Sequence, residues 1–289
     1  MNLDHFGMDT ITLAGPLEAK LAAVRAARFT QIMLNATDLV GHPGGEAAAI
    51  AAVKESGLRV TGFQVLRDFE GLEGRLHAYK VDVAKAMLEM CHALGSRVLL
   101  VCSSASPHAS GDAERLARDL QKLAMLAVPY DIRIAYEALS WGKHVSEYPQ
   151  AWDIVQRAER HNLGLALDSF HILATGTTLE ALEELAPAKI FLVQLSDFLW
   201  QETRSPHERM ETARHSRVFP GEGVHSEKVI ELVRALDEMG YRGDYSFEVF
   251  NDDYRQLPLP VVAERARRSV KWITARVGRW SLPARGHAR

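Results

Sequence analysis

Short apolar runs alternate along the chain with longer stretches whose apolar positions recur at helical spacing. The clearest run is Leu163-Gly164-Leu165-Ala166-Leu167, which leads into Asp168 and then the polar turn Ser169-Phe170-His171. Continuous apolar residues bounded in this way predict a strand buried on both faces. Strands are predicted at residues 6–13, 30–34, 59–65, 98–102, 132–137, 163–168, 189–195 and 244–249. Gly15-Pro16 opens the first helix, with Leu17, Leu21 and Val24 on one face. Further helices are predicted at 45–56, 75–94, 112–127, 148–161, 178–185, 226–239 and 260–277. Gly57, Gly95 and Gly240 stand at helix-stopping positions, and Thr178 is placed to cap the short 178–185 helix. Residues 196–225 show no periodicity and carry Pro206, Pro220, Gly221 and Gly223. A loop that long in a compact domain is usually functional.

Strand-then-helix units repeated without interruption predict a parallel sheet. Eight such units in 289 residues favour closure into a (β/α)8 barrel, an α/β fold of one domain over residues 1–277. Residues 278–289, with Pro283 and Gly286, are expected to fray as a tail. No strand leads into a glycine-rich dinucleotide fingerprint, which disfavours an open doubly wound sheet.

Charge and composition narrow the partners. The formal net charge is −3, so no basic footprint points to nucleic acid. No apolar run approaches the ~20 residues of a membrane span, so no membrane partner is expected. Met1-Asn2-Leu3-Asp4-His5 lacks the basic segment of a secretory signal, so a cytoplasmic location is expected. Cys91 and Cys102 follow no metal or redox spacing and read as buried thiols. A homo-oligomer is compatible with this composition.

The chemistry lies at the strand ends. The fifth predicted strand ends in Glu137, the sixth in Asp168, the seventh runs through Gln194 and the eighth reaches Glu248. In a closed parallel barrel these tips converge at one end, where such enzymes carry their active sites. Three carboxylates and an amide oxygen buried together need a cation. Hard oxygen donors suit Mg²⁺, Mn²⁺ or Co²⁺. His171, three residues past Asp168, reads as a general base, with a packed histidine or a fifth ligand as alternatives. Arg217, just before Phe219-Pro220-Gly221-Glu222-Gly223, can clamp a substrate carboxylate or oxyanion, or remain a solvated charge. Arg67 follows the third strand and can equally pair with Asp68 or Glu70. Trp141 and Tyr136 can wall the pocket, and Asp197 and Asp252 can support the ligands. The basic run Arg265, Arg267, Arg268 and Lys271 reads as an outer helix face.

The Glu/Asp/Gln/Glu set, with Arg-x-x-Pro-Gly-Glu-Gly after the seventh strand, resembles the xylose-isomerase-like barrels of sugar isomerases and epimerases. A narrower likeness lies in Ala138-Leu139-Ser140-Trp141-Gly142-Lys143-His144-Val145, Asp168-Ser169-Phe170-His171, Phe191-Leu192-Val193-Gln194-Leu195-Ser196-Asp197 and Glu248-Val249-Phe250-Asn251-Asp252. These segments are similar to the bacterial 3-dehydroshikimate dehydratases. That resemblance implies a divalent metal on Glu137, Asp168, Gln194 and Glu248, His171 as catalytic base, and Arg67 and Arg217 near a substrate carboxylate. It implies loss of water from 3-dehydroshikimate, through an enolate, to give protocatechuate. Some members of the group carry a second, dioxygenase-like domain after the barrel; a chain of this length is expected to hold the barrel alone.

Three other functions compete. A metal-dependent isomerase or epimerase of a sugar or inosose would share the ligand set but would not need carboxylate-binding arginines. A sugar- or metal-binding barrel without catalysis would tolerate replacement of His171. An abasic-site endonuclease would need several strand-tip histidines and a basic face, and neither is present.

Overall fold

A computed structural model describes residues 3–277, and the expected tail at 278–289 lies outside the described residues. Its strands are Phe6–Asp9, Gln31–Asn35, Arg59–Leu66, Val98–Cys102, Arg133–Glu137, Leu163–Asp168, Ile190–Leu195 and Tyr245–Phe247. All eight run parallel and close into a ring in the order one, eight, seven, six, five, four, three, two. The helices Leu17–Ala26, Gly45–Ser56, Gly74–Ala93, Ala113–Ala127, Tyr148–Ala158, Ser226–Glu238 and Leu259–Val277 form the outer layer. No described helix is long and apolar enough to cross a membrane.

Differences from the expected elements have local causes. The first strand stops at Asp9 because its carboxylate accepts the Ile11 N–H at 3.0 Å and starts a 3-10 turn at Thr10–Thr12. Asn35 likewise caps a short helix, Ala36–Val40, by accepting the Thr37 N–H at 2.9 Å. The turn expected after Asp168 is instead a helix, Ser169–Thr175, which Asp168 caps through the Phe170 N–H at 2.8 Å. Residues 178–185 hold only a 3-10 helix, Glu180–Glu184; Leu179 precedes it with no side-chain cap, so Thr178 does not take the capping role. Residues 196–225 are not irregular. Asp197–Phe198 and Arg217–Val218 form an antiparallel ribbon, and Pro206–His215 is helical. Ser205 caps that helix through the Glu208 N–H at 3.2 Å, with Pro206 in its first turn.

Period-two alternation along the strands sorts the side chains into two cores. Met33, Leu100, Ala135, Ala166 and Leu192 cluster inside the barrel. Their strand neighbours Ile134, Tyr136, Leu165, Leu167 and Val193 pack outward against the helices. Stepping two residues from the inner cluster reaches Cys102, Glu137, Asp168 and Gln194 at the C-terminal end of the barrel. Phe6, Met8, Tyr245 and Phe247 face the helices, so Asp9 and Glu248 also turn inward.

The loop after the third strand is tied to the loop after the fourth. Asp68 accepts the N–H groups of Ala105 and Ser106 at 2.9 and 3.1 Å. Glu70 accepts the Ser104 N–H at 2.5 Å and the Tyr136 hydroxyl at 3.0 Å. Burial pushes the Glu70 carboxyl up to about 7. An acid raised on folding contributes stability below its unfolded pKa and loses it as pH climbs through the folded value. Glu70→Gln is therefore expected to lose less melting temperature than the wild type between about pH 5 and pH 8. Parallel pH profiles for the two proteins would mean that Glu70 does not change its proton affinity on folding.

Candidate active site

Glu137, Asp168, Gln194 and Glu248 come from four consecutive strands, and the fold brings them to the same end of the barrel interior, each under 6% exposed. Glu137 Oε2 accepts the Cys102 thiol at 2.9 Å, while its Oε1 is buried with no hydrogen-bond partner among the described residues. Neither amide atom of Gln194 has a hydrogen-bond partner among the described residues. Burial, and then the charges of Glu248 and Asp168, hold the Glu137 carboxyl well above its ordinary range. Burial also raises Glu248, and Arg217 opposes that rise.

Arg217 sits among these acids. Its Nη1 donates to Asp168 Oδ2 at 2.6 Å and to Glu248 Oε2 at 3.1 Å, and its Nε donates to Ala213 O at 2.9 Å. The guanidinium lies over the Phe170 ring, 4.5 Å from its centroid. Burial works against its charge, but Asp168 and Glu248 more than offset this and raise its pKa. If ionised, the three carboxylates exceed this one guanidinium by two charges. A divalent cation would neutralise that excess and occupy the bare oxygens of Glu137 and Gln194. Glu137, Asp168 and His171 each offer a ligand atom within 4.8 Å of the others. The residues present therefore fit a hard divalent cation, with His171 geometrically able to join the set.

His171 lies one helical turn beyond Asp168, so the Ser169–Thr175 helix brings both to one side. Its Nε2 is 3.6 Å from Asp168 Oδ2. Its Nδ1 faces Ser140, whose N–H is at 3.2 Å and whose hydroxyl is at 3.0 Å. Each neutral tautomer finds a partner there: the N–H donates to a bare Nδ1, and the hydroxyl oxygen accepts from Nδ1–H. The second arrangement leaves a lone pair on Nε2. Burial pushes the imidazole down to about 3, so the ring is neutral at physiological pH. Trp141 packs 5.1 Å from it, centroid to centroid.

A cavity of about 200 Å³ opens over Glu137, Glu248 and His171. Arg67, Trp141 and Arg217 also line it. Arg67 is exposed and pairs with neither Asp68 nor Glu70, which are committed to backbone groups. Tyr136 faces Glu70 instead of the cavity. Asp197 holds the ends of the 196–225 segment together through Ser226 Oγ and the N–H groups of Phe198 and His225. Asp252 is at the surface with His215.

Period-two counting on the first, third and fourth strands reaches residues that the search for terminal acids passed over. Gln64 donates to the buried Asp9 carboxylate and helps to hold the Glu248 carboxyl down against the effect of burial. Cys102 fixes one oxygen of Glu137. Ser140 belongs to a loop and carries no comparable signal.

The chain belongs to the xylose isomerase-like TIM barrel family: a family model of that description matches residues 21–276. A 3-dehydroshikimate dehydratase of Pseudomonas aeruginosa is 36% identical over 264 residues, which are 91% of this chain and 41% of that protein. The chain thus spans about two-fifths of that relative's length. An inosose isomerase of Bacillus subtilis is 29% identical over 223 residues, 72% of each chain. Among solved structures, a xylose isomerase-like TIM barrel/4-hydroxyphenylpyruvate dioxygenase fusion protein superposes with a TM-score of 0.87 at 33% identity, over 93% of this chain and 42% of that one.

If the bare oxygens are a cation site, Mn²⁺ or Co²⁺ should raise the melting temperature of the wild type, since a ligand that binds the folded state alone stabilises it. Glu137→Gln is expected to abolish most of that rise while keeping the wild-type circular dichroism spectrum. An undiminished rise would remove Glu137 from the site.

Proposed function

We propose that this barrel is a divalent-metal-dependent hydro-lyase that converts 3-dehydroshikimate to protocatechuate. The observation that carries the reading is one cavity combining an uncompensated carboxylate cluster, a neutral histidine and a cationic wall. Support also comes from the dehydratase relative, which matches this chain over nearly its whole length.

Glu137, Asp168, Gln194 and Glu248 would hold the cation. When bound, a divalent cation supplies electrophilic stabilisation of the negative charge that gathers on a ketone oxygen as the neighbouring carbon loses its proton. The protein's own groups do the rest. His171 Nε2 takes the proton α to the ketone while Nδ1–H is held by the Ser140 hydroxyl. The resulting imidazolium returns a proton to the departing β-hydroxyl, which leaves as water. Aromatisation then draws the product forward. Trp141 keeps bulk water from one side of the imidazole, Arg67 supplies positive charge to the carboxylate end of the substrate, and Arg217 stays with Asp168 and Glu248.

The direct test adds Mg²⁺, Mn²⁺ or Co²⁺ and 3-dehydroshikimate to the purified protein and follows the absorbance of protocatechuate. Turnover of an inosose with no protocatechuate formed would replace this reading with the isomerase one, towards which the Bacillus subtilis relative points.

A positioned general base contributes typically ~10²–10⁴-fold. His171→Ala is expected to lose kcat by about that factor while keeping the cation-dependent rise in melting temperature. Loss of that rise would make His171 a ligand, and unchanged kcat would require another base. For Arg67→Ala, removal of a charge-assisted contact worth ~1.5–3 kcal/mol should reduce kcat/KM roughly 10- to 100-fold. Unchanged kinetics would argue for a neutral polyol substrate.

A further inference from the structure

Arg217 is the arginine that the loop motif offers for substrate, yet its guanidinium is already spent on Asp168 and Glu248 at 2.6 and 3.1 Å. A second guanidinium lines the same cavity. Arg214 lies in the Pro206–His215 helix, three residues before Arg217, and is exposed. No hydrogen bond, ion pair or ring contact engages its side chain among the described residues, and the same holds for Arg67. Arg67 acts on Glu248 through its charge alone, Asp68 accepts backbone N–H groups, and Asp252 pairs with His215. Arg67 follows the third strand and Arg214 precedes the eighth, in the segment that leaves the seventh. The third and seventh strands stand four places apart in the ring of eight, on opposite sides of the mouth.

We propose that Arg214 is a substrate-binding residue that grips the substrate's carboxylate from across the cavity mouth, with Arg67 as its counterpart. The proposal rests on the dehydratase reading and names the specificity element of that site. Arg217 holds the buried acids, and Arg214, on the same helix-to-ribbon segment, reads the ligand's charge. Two unpaired guanidiniums facing one pocket repel each other, so an anion between them is favoured over a neutral polyol. A lone exposed arginine is worth little; two converging on one carboxylate can form paired charge-assisted hydrogen bonds.

The test compares wild type, Arg214→Gln and Arg214→Lys. Protocatechuate and catechol, which differ by the carboxylate, serve as competitive inhibitors and as ligands in thermal shift. Arg214→Gln is expected to raise KM for 3-dehydroshikimate and weaken protocatechuate ~10- to 100-fold, with kcat changed far less and catechol unaffected. Arg214→Lys should recover part of the loss. Equal weakening of both ligands, or of neither, would overturn the assignment, as would a wild type that binds protocatechuate no better than catechol. A wild type that binds protocatechuate selectively but forms none from 3-dehydroshikimate would defeat the dehydration reading. The two-ligand comparison would then still decide the role of Arg214.

Discussion

Repulsion among the buried carboxylates at the strand tips is the constraint on which the active end of this barrel depends. Glu137, Asp168 and Glu248 are almost fully removed from water, and like charges in a low-dielectric site cannot all stay ionised unaided. Arg217 meets part of the demand by bridging two of them. To arrive there it needs the excursion between the seventh and eighth strands. The ribbon of Asp197–Phe198 with Arg217–Val218 fixes its backbone, and Phe170 lies against its guanidinium. Glu137 Oε1 and the Gln194 amide have no hydrogen-bond partner among the described residues. The fold has thus gathered more carboxylate charge at this end than Arg217 alone balances. Such a cluster is costly for stability, and its oxygen donors fit a hard divalent cation.

Much of this was legible from the chain because barrel strands obey a strict alternation. Once Ala135, Ala166 and Leu192 are inward, Glu137, Asp168 and Gln194 must be inward too. The same rule holds for Asp9, Gln64 and Cys102, but its signal was weaker there. Asp9 sits on a strand of four residues, Gln64 is followed by further strand residues, and a cysteine in an apolar run looks like core. The helix Pro206–His215 was hidden for a different reason. Its residues are mostly polar, so no apolar stripe marks it, although Ser205, Pro206 and Glu208 spell a helix start. The helices Ala36–Val40 and Ser169–Thr175 are too short for periodicity, and each depends on a capping side chain from the strand before it.

Asp168 shows how one residue serves fold and chemistry together. One carboxylate oxygen caps the Ser169–Thr175 helix and the other receives Arg217. The cap sets the direction of that helix, and the helix sets where His171 points. An asparagine at this position could cap as well but would forfeit the ion pair with Arg217. The carboxylate is therefore demanded by the site, and the helix makes use of it.

The excursion also reaches the histidine from the other side. Arg209 Nη1 donates to Ser140 O at 3.1 Å, and Ser140 presents its N–H to a bare His171 Nδ1 or its hydroxyl oxygen to Nδ1–H. One helix therefore contributes Arg209, which steadies the partner of the imidazole, and Arg214, which faces the cavity. Arg217 follows it directly and holds the acids. A displacement of Pro206–His215 would loosen all three at once. This places control of the site's geometry in a segment outside the (β/α)8 repeat. The acids come from the strands, whereas Arg209, Arg214 and Arg217 arrive on a connection, and connections can vary without disturbing the barrel.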